Sequence, residues 1–140
     1  MRAVIYSMVA ITLLAAATAL AVWLGSRIPA AHTLTVTRLY SVPPEKLWRL
    51  VKDRAQWRDM TVETEEQDRP ERLVLRMRDR KNQFSARWEL DFEPLGGGTQ
   101  LQITETGQVT NPIVRLLQHS TGRDAFVISF MDGLANVVRA

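Results

Sequence analysis

The sequence predicts an α+β domain that follows one transmembrane helix, and three patterns in the 140-residue chain indicate this fold class. The run from Ala3 to Leu24 carries no charged residue. Apolar and polar residues then alternate through the middle of the chain, which is typical of half-buried antiparallel strands. An apolar stripe at helical spacing closes the sequence. Strands followed by a terminal helix are typical of α+β domains.

The apolar run near the amino terminus is long enough to cross a membrane. A helix from Ala3 to Leu24, rising about 1.5 Å per residue, spans a hydrocarbon core of about 30 Å. We therefore predict an anchor at residues 1–27, a linker at 28–32 and one domain at 33–140. A cleaved signal peptide and a buried core helix are the alternatives. Signal peptides have apolar cores of only about 7–15 residues, although Pro29-Ala30-Ala31 keeps cleavage open.

The charges that flank the anchor predict its orientation. The amino terminus and Arg2 lie on one side, and Arg27 is the only charge close to the other end. Because positive charge is retained on the cytoplasmic side, the amino terminus is predicted to be cytoplasmic and the domain to lie outside. The expected localisation is a single-pass membrane protein, with the membrane as its first partner.

The domain itself is close to neutral, which argues against nucleic acid as a partner. The chain has 18 Lys and Arg against 15 Asp and Glu, but two of the positive charges, Arg2 and Arg27, flank the anchor. A nucleic-acid-binding domain needs a concentrated basic face. The basic stretch from Arg69 to Arg87 follows an acidic stretch from Asp59 to Asp68. We predict a mutually compensated surface there, with contact to anionic lipid headgroups as the alternative.

Neither a metal nor a cofactor is expected from the motifs. The chain has no cysteine, and neither His32 nor His119 has a second ligand at metal-site spacing. His32 is assigned to the linker, and both histidines are predicted to face solvent. The run Gly96-Gly97-Gly98 predicts a tight turn between strands and not a phosphate-binding loop, because no helix follows it.

The first half of the domain is predicted to hold a strand, two helices and a weak edge strand. The strand runs from Thr33 to Ser41, where Pro43 and Pro44 open a helix with an apolar face. A second, short helix is predicted from Ala55 to Met60 and carries Trp57. The polar segment from Thr61 to Gln67 predicts an edge strand.

Three further strands alternate cleanly enough to predict their register. They run from Leu73 to Asp79, from Phe84 to Glu93 and from Thr99 to Val109. The expected inward pairs are Leu73–Leu90, Leu75–Trp88, Met77–Ala86, Leu101–Phe92, Ile103–Leu90 and Glu105–Trp88. Glu105 is therefore a carboxylate on the inner face of the sheet. A wet rim position or a hydrogen bond is the ordinary explanation for such a carboxylate, and a catalytic role is the alternative.

The chain ends in helices. Asn111 is a suitable N-cap and Pro112 a suitable first helical residue. A polar break from Gln118 to Asp124 separates this helix from the last one. The apolar stripe of the last helix consists of Phe126, Val127, Phe130, Met131, Leu134, Val137 and Val138.

Several segments resemble a known superfamily in their order and spacing. They are residues 38–48, Trp57, residues 88–94, Gly98-Thr99, residues 104–107, Asn111-Pro112 and Gly122. The domain resembles the START-like (SRPBCC) superfamily, in its polyketide cyclase/dehydrase-like branch. The resemblance implies a helix-grip fold, in which an antiparallel sheet curls around a long C-terminal helix and leaves a cavity for a small apolar molecule. It carries over no catalytic residue, because the superfamily shares a cavity and not a catalytic motif.

The chain departs from that superfamily in the length of its sheet. About five strands replace the usual seven, because no room for another hairpin exists between Met60 and Gln67. The cavity is therefore expected to fall below the ~300 Å³ typical of ligand sites, or to be open on one side. A free edge strand could pair with a second copy of the chain. The predicted cavity-lining residues are Met77, Phe84, Trp88, Glu105, Phe126 and Phe130.

These observations predict a membrane-tethered, non-catalytic binding module for a small hydrophobic ligand, with a lipid as the first candidate. The first alternative is a non-catalytic protein-interaction module whose cavity is filled by side chains. The second is an enzyme of the cyclase, dehydrase or hydrolase kind, with Glu105 as acid or base and Tyr40 as its companion. A second polar group within hydrogen-bond reach of Glu105 would favour the enzyme.

Overall fold

The structure is a computed structural model that describes residues 1–139, with Thr121 described by its backbone alone. Ala140, the last residue of the predicted domain, lies outside the described residues. Residues 1–139 form one five-stranded antiparallel sheet, as the sequence predicts, and four helices, one fewer than expected; the strand order is β1-β5-β4-β3-β2. The elements are α1 (Arg2–Ser26), β1 (Ala31–Tyr40), α2 (Pro44–Arg54), β2 (Met60–Asp68), β3 (Arg72–Asp79), β4 (Phe84–Leu95), β5 (Gly98–Val109), α3 (Pro112–Thr121) and α4 (Ala125–Arg139).

The predicted register of the central strands is confirmed. All six inward pairs expected from the alternation are present, Glu105 opposite Trp88 among them. A slip of one residue would move every apolar side chain of a strand to the solvent face, so the buried inner face holds this register in place. The turn between β4 and β5 contains Gly96 and Gly97, which have φ angles of 58° and 83°. Glycine adopts this left-handed backbone without strain.

Helix α4 covers the concave face of the sheet, as its apolar stripe predicts. Val127, Met131 and Leu134 are fully buried, and Phe130 nearly so. The middle of α4 is tied to β1 by an ion pair, in which Arg38 Nη1 donates to Asp132 Oδ1 at 2.6 Å. The preceding helix, α3, begins as expected: Asn111 Oδ1 accepts a hydrogen bond from the backbone N–H of Ile113 at 2.9 Å.

Two sequence-based expectations about local structure are wrong. No helix forms from Ala55 to Met60, because α2 ends at Arg54 and β2 begins at Met60. Trp57 therefore lies in the connecting loop, from which its ring reaches the core. Strand β1 begins at Ala31 and not at Thr33. Residues 31 and 32 pair with Gln108 and Gly107, since β5 is long enough to extend the ladder.

Helix α1 is long and apolar enough to cross a membrane. No other helix within residues 1–139 meets both conditions. It has 25 residues and a mean hydropathy of 2.1. A signal sequence passes the same test, as does the core helix of a soluble protein, but only 6% of the apolar window is buried. Its exposure distinguishes α1 from a core helix. The only buried residue of α1 is Gly25, near its carboxyl end.

We expect Tyr40 to make the fold sensitive to alkaline pH. Its hydroxyl donates to the Met131 carbonyl at 2.9 Å, and burial raises the pKa of Tyr40 from 10.0 to about 12. A raised pKa in the folded state means that the contribution to stability is complete below pH 10 and is lost as the pH rises towards 12. The free energy of unfolding in urea, measured from pH 8 to pH 12, should fall less steeply in Tyr40→Phe. Parallel curves for the two proteins would contradict this prediction.

Candidate functional site

The inner face of the sheet holds a buried carboxylate with two hydrogen-bond donors. The side chain of Glu105 is 2% exposed. Its Oε2 accepts a hydrogen bond from Trp88 Nε1 at 2.6 Å, and its Oε1 lies 2.7 Å from His32 Nε2. Because a carboxylate oxygen accepts, the imidazole Nε2 is the donor. Both oxygens of Glu105 are therefore satisfied without water.

The sequence missed the role of His32. We predicted a solvent-facing linker residue, whereas its side chain is 7% exposed and lies at the start of β1. The imidazole fits because residue 107 is a glycine: a Cβ at Gly107 would come within 2.7 Å of the ring carbon Cε1. His119, in contrast, is exposed as expected. Tyr40 lies eight residues beyond His32 in β1 and its hydroxyl donates to a carbonyl of α4, so it is not the companion of Glu105.

A layer of aromatic rings occupies the space between the sheet and α4. The ring of Trp57 lies 5.7 Å from that of Trp88 and 5.2 Å from that of Phe126, measured between centroids. The Phe130 ring lies 5.1 Å from that of Trp88, and the Phe84 ring lies 6.3 Å from that of Phe126. These spacings are those of packed edge-to-face and tilted pairs.

The structure thus brings together the six residues predicted to line a cavity. Met77, Trp88 and Glu105 are buried, Phe130 nearly so, and Phe84 and Phe126 are partly buried. They meet as packed core around Trp57, which the sequence placed in the helix that does not form. Whether they also bind a ligand stays a prediction.

An open groove lies beside this core, between α2 and the edge strand β2. Its volume is about 320 Å³, just above the ~300 Å³ expected as an upper bound from the shortened sheet. The lining residues are Lys52, Ala55, Gln56, Trp57, Met60, Val62, Thr64 and Leu75. None of the six predicted cavity residues is among them.

Lys52 is the one charged residue of this groove. Its ammonium donates to Thr64 Oγ1 at 2.9 Å and to Gln67 Oε1 at 3.2 Å. It also lies 5.6 Å from the centroid of the Trp48 ring. Within residues 1–139 no carboxylate lies at ion-pair distance from Lys52, so its charge is balanced by neutral oxygens and an aromatic face. The groove therefore presents an apolar floor and an uncompensated cation.

The outer face of the sheet carries mostly compensated charge, as the alternation of acidic and basic stretches predicts. Glu65 accepts from Arg87 at 2.9 Å and from Arg76 at 2.5 Å, and these hydrogen bonds, that of Arg87 foremost, lower the pKa of Glu65. A second, shallow groove of about 560 Å³ crosses this face, with Arg76, Arg78 and Arg87 along its lining. In the part of the chain that the structure describes, no cluster of three or more metal-ligating side chains occurs.

Comparisons with known proteins agree on the fold. No protein-family model matches the chain, and no curated protein matches it either. Among solved structures, the Mll3558 protein from Rhizobium loti is similar, with a TM-score of 0.61, 17% identity, and coverage of 76% of this chain and 96% of that one.

Two further solved structures, those of CalU16 and DynU16, are similar to the chain. CalU16 from Micromonospora echinospora has a TM-score of 0.51 and 15% identity, and the match covers 79% of this chain and 87% of CalU16. DynU16, a putative protein in the dynemicin biosynthetic locus, has a TM-score of 0.57 and 14% identity, and the match covers 77% of this chain and 47% of DynU16. At such identities the likeness shows the fold alone. The chain has the α+β helix-grip fold that its motifs predict, with a five-stranded sheet curled around α4.

Proposed function

We propose that the chain is a membrane-tethered module that binds a small amphipathic ligand, a single-chain lipid anion, in the groove between α2 and β2. The observation that carries this proposal is the pairing of an apolar floor with one uncompensated cation. Trp57, Met60 and Val62 offer surface for a hydrocarbon chain, and Lys52 offers a charge for its head group. Ligand sites commonly combine such an apolar lining with a few polar groups that fix orientation.

The tether supports the same proposal, because it would hold the groove close to a source of lipid. Helix α1 has the length and hydropathy of a membrane span. A domain attached to it through the short segment between α1 and β1 stays within a few nanometres of the bilayer. A ligand that leaves the membrane would then need only a short path to reach the open side of the groove.

Catalysis is not part of the proposal. The enzyme alternative asked for a second polar group within reach of Glu105, and the structure supplies two, His32 and Trp88. However, both carboxylate oxygens already accept hydrogen bonds, and neither groove described above is lined by Glu105 or His32. A general acid or base must reach the proton that it transfers. This cluster is therefore assigned to holding β1, β5 and β4 together.

The protein-interaction alternative has two observations in its favour. The aromatic layer around Trp57 and Trp88 fills the region where the superfamily resemblance implies a cavity. The edge strand β2 pairs on one side only, with β3. A free strand edge can accept a strand from a second chain. Ligand capture in the groove is what separates the two functions.

Photo-crosslinking tests the proposed groove. The full chain in nanodiscs of neutral lipid would be exposed to dodecanoate carrying a terminal diazirine, and adducts would be mapped by mass spectrometry. We expect adducts on residues 57–64 and on Leu75. Lys52→Met should lower their yield by up to about fivefold, since a partly exposed ion pair contributes up to about 1 kcal/mol.

The matched control is Lys46→Met, which removes an exposed cation from the same helix outside the groove. Its adduct yield should equal that of the parent. The same diazirine on dodecanol should label the groove independently of Lys52, because the alcohol carries no charge. Adducts confined to α1, or a dodecanoate yield that Lys52→Met leaves unchanged, would refute the proposal.

A further inference from the structure

One end of the sheet lies next to the carboxyl end of α1. Ala31, the first residue of β1, pairs with Gln108 near the end of β5, and Phe84, the first residue of β4, pairs with Val109. The backbone N–H of Thr110 donates to Gln83 O at 3.0 Å. The start of β1, the end of β5 and the β3–β4 turn at residues 80–83 therefore meet at one end, here called the anchor-side end.

Helix α3 is fixed to α1 at this end. The backbones touch at Gly25, where an added Cβ would come within 1.8 Å of the Pro112 carbonyl oxygen. Only glycine permits this approach. In addition, Arg115 Nη1 donates to the carbonyl of Ile28, the second residue after α1, at 2.9 Å. The position of α3 relative to the last turn of α1 is thus set by a close backbone contact and a side-chain hydrogen bond.

One face of α3 exposes two apolar side chains, while His119 and Ser120 are the exposed polar residues of this helix. Ile113 is 37% exposed and Leu117 is 60% exposed, and their spacing of four residues places them on one face of the helix. Close by, Trp23 of α1 is 51% exposed, with the Arg27 guanidinium 4.3 Å from its ring centroid. Tryptophan and arginine at the end of an apolar helix are typical of the membrane–water interface.

The anchor-side end is also basic. Its exposed β3–β4 turn carries Arg80 and Lys81, and Arg78 precedes them on β3. Unlike Arg76 and Arg87, these three residues form no ion pair within residues 1–139. The anchor-side basic residues are Arg27, Arg58, Arg78, Arg80, Lys81 and Arg123.

The acidic residues of this end are fewer, and one of them is already engaged. They are Asp59, Asp79 and Asp124, and Asp79 accepts hydrogen bonds from the backbone of Gln83 and Phe84. The turns at the opposite end have the reverse balance, with Asp68, Glu71 and Glu93 against Arg69 and Arg72. Positive charge is therefore concentrated on the side of the domain from which α1 leaves.

We propose that α3 and the β3–β4 turn form a docking surface for an anionic lipid membrane. Ile113 and Leu117 enter the boundary between head groups and acyl chains, while Arg78, Arg80 and Lys81 contact lipid phosphates. This inference rests on the tether of the proposed function, because α1 brings the bilayer to the last turn on which α3 packs. A protein partner would explain the apolar face but not the basic turn beside the membrane helix.

Site-directed spin labelling tests this surface in the full chain. The sequence has no cysteine, so Leu117→Cys, Ile113→Cys and Asn82→Cys each give a single labelling site. The labelled chains would be reconstituted in phosphatidylcholine vesicles with or without phosphatidylglycerol. In vesicles with phosphatidylglycerol, we expect the labels at positions 113 and 117 to be accessible to oxygen and protected from a water-soluble nickel complex. The label at position 82 should lose nickel collisions in anionic vesicles only.

The matched control is Leu39→Cys. Leu39 is 60% exposed, as Leu117 is, but lies near the opposite end of β1, so its label should stay accessible to nickel. The combined substitution Arg80→Gln and Lys81→Gln should abolish the protection at position 82. Labels at positions 113 and 117 as accessible to nickel as that at position 39 would overturn the docking surface.

Failure of the tether gives a different result. A label at position 14, in the middle of α1, reports insertion independently of the domain. If position 14 is protected and positions 113 and 117 are not, the tether stands and the docking surface is refuted. If position 14 itself is accessible to nickel and carbonate releases the chain from vesicles, both the tether and the docking surface are overturned.

Discussion

Replacing Glu105 with leucine should lower the free energy of unfolding by about 2–6 kcal/mol, because two buried hydrogen-bond donors lose their acceptor. The substitution leaves two donors, Trp88 Nε1 and His32 Nε2, without their acceptor inside the sheet. Each unsatisfied buried group costs about 1–3 kcal/mol. Urea unfolding of the full chain in detergent micelles, followed by tryptophan fluorescence, measures the difference.

The control for this substitution is Thr104→Val on the outer face of the same strand. Thr104 meets Thr35 only through a 3.4 Å contact between hydroxyl oxygens, so the effect should stay within about 0.5 kcal/mol. Adding His32→Leu to Glu105→Leu removes one of the orphaned donors. The double variant should therefore lose less stability than the sum of the single variants. Strict additivity would show that His32 and Glu105 do not interact in the fold.

The position of Glu105 could be predicted from the sequence. Of its two hydrogen-bond partners, only Trp88 could be predicted. Alternation in β4 and β5 placed Glu105 opposite Trp88, and this pairing is confirmed. The buried position of His32 was not predicted, because the first strand was predicted to begin at the β-branched residue Thr33. The signal was available: His32, Leu34 and Val36 continue a period of two onto the inner face, and Gly107 opposite His32 leaves room for a large ring.

The error at Trp57 has a different physical origin. The segment from Ala55 to Met60 contains no helix-breaking residue, so local propensity permits the short helix that we predicted. The structure instead uses this segment as a loop, because the Trp57 ring packs among Trp88, Phe126 and Phe130 while Met60 already pairs with Asp79 in the sheet. Tertiary packing overrides propensity here.

The contact between α1 and α3 lies further from what the sequence can predict. Gly25 directly follows the apolar run, and nothing in a linear pattern shows which backbone will approach a glycine. Its contact partner, Pro112, is 87 residues away in the chain. The predicted N-cap at Asn111 fixed where α3 begins but not what it touches. Local signals define elements, and contacts between elements distant in sequence follow from the assembled fold.

Replacing Phe130 with alanine should cost about 3–5 kcal/mol of stability and create a binding cavity where the rings now pack. The Phe130 ring lies 5.1 Å from that of Trp88 and 5.8 Å from that of Trp57. Because these are rigid rings anchored on a strand and in a loop, they cannot fully close the space left by the missing side chain. An apolar cavity of this kind stays dry and accepts small aromatic molecules. Toluene should therefore raise the melting temperature of Phe130→Ala but leave the parent unchanged.

The control is Ser129→Ala, which changes the exposed neighbour of Phe130 and should neither destabilise the chain nor create toluene binding. If Phe130→Ala is too unstable to study, Phe130→Leu opens a smaller space at lower cost. Stabilisation of the parent by toluene would show that the aromatic layer opens for a ligand, and would favour the cavity that Met77, Trp88 and Phe126 were predicted to line. Stabilisation of the variant alone leaves the groove beside Lys52 as the proposed ligand site of the parent.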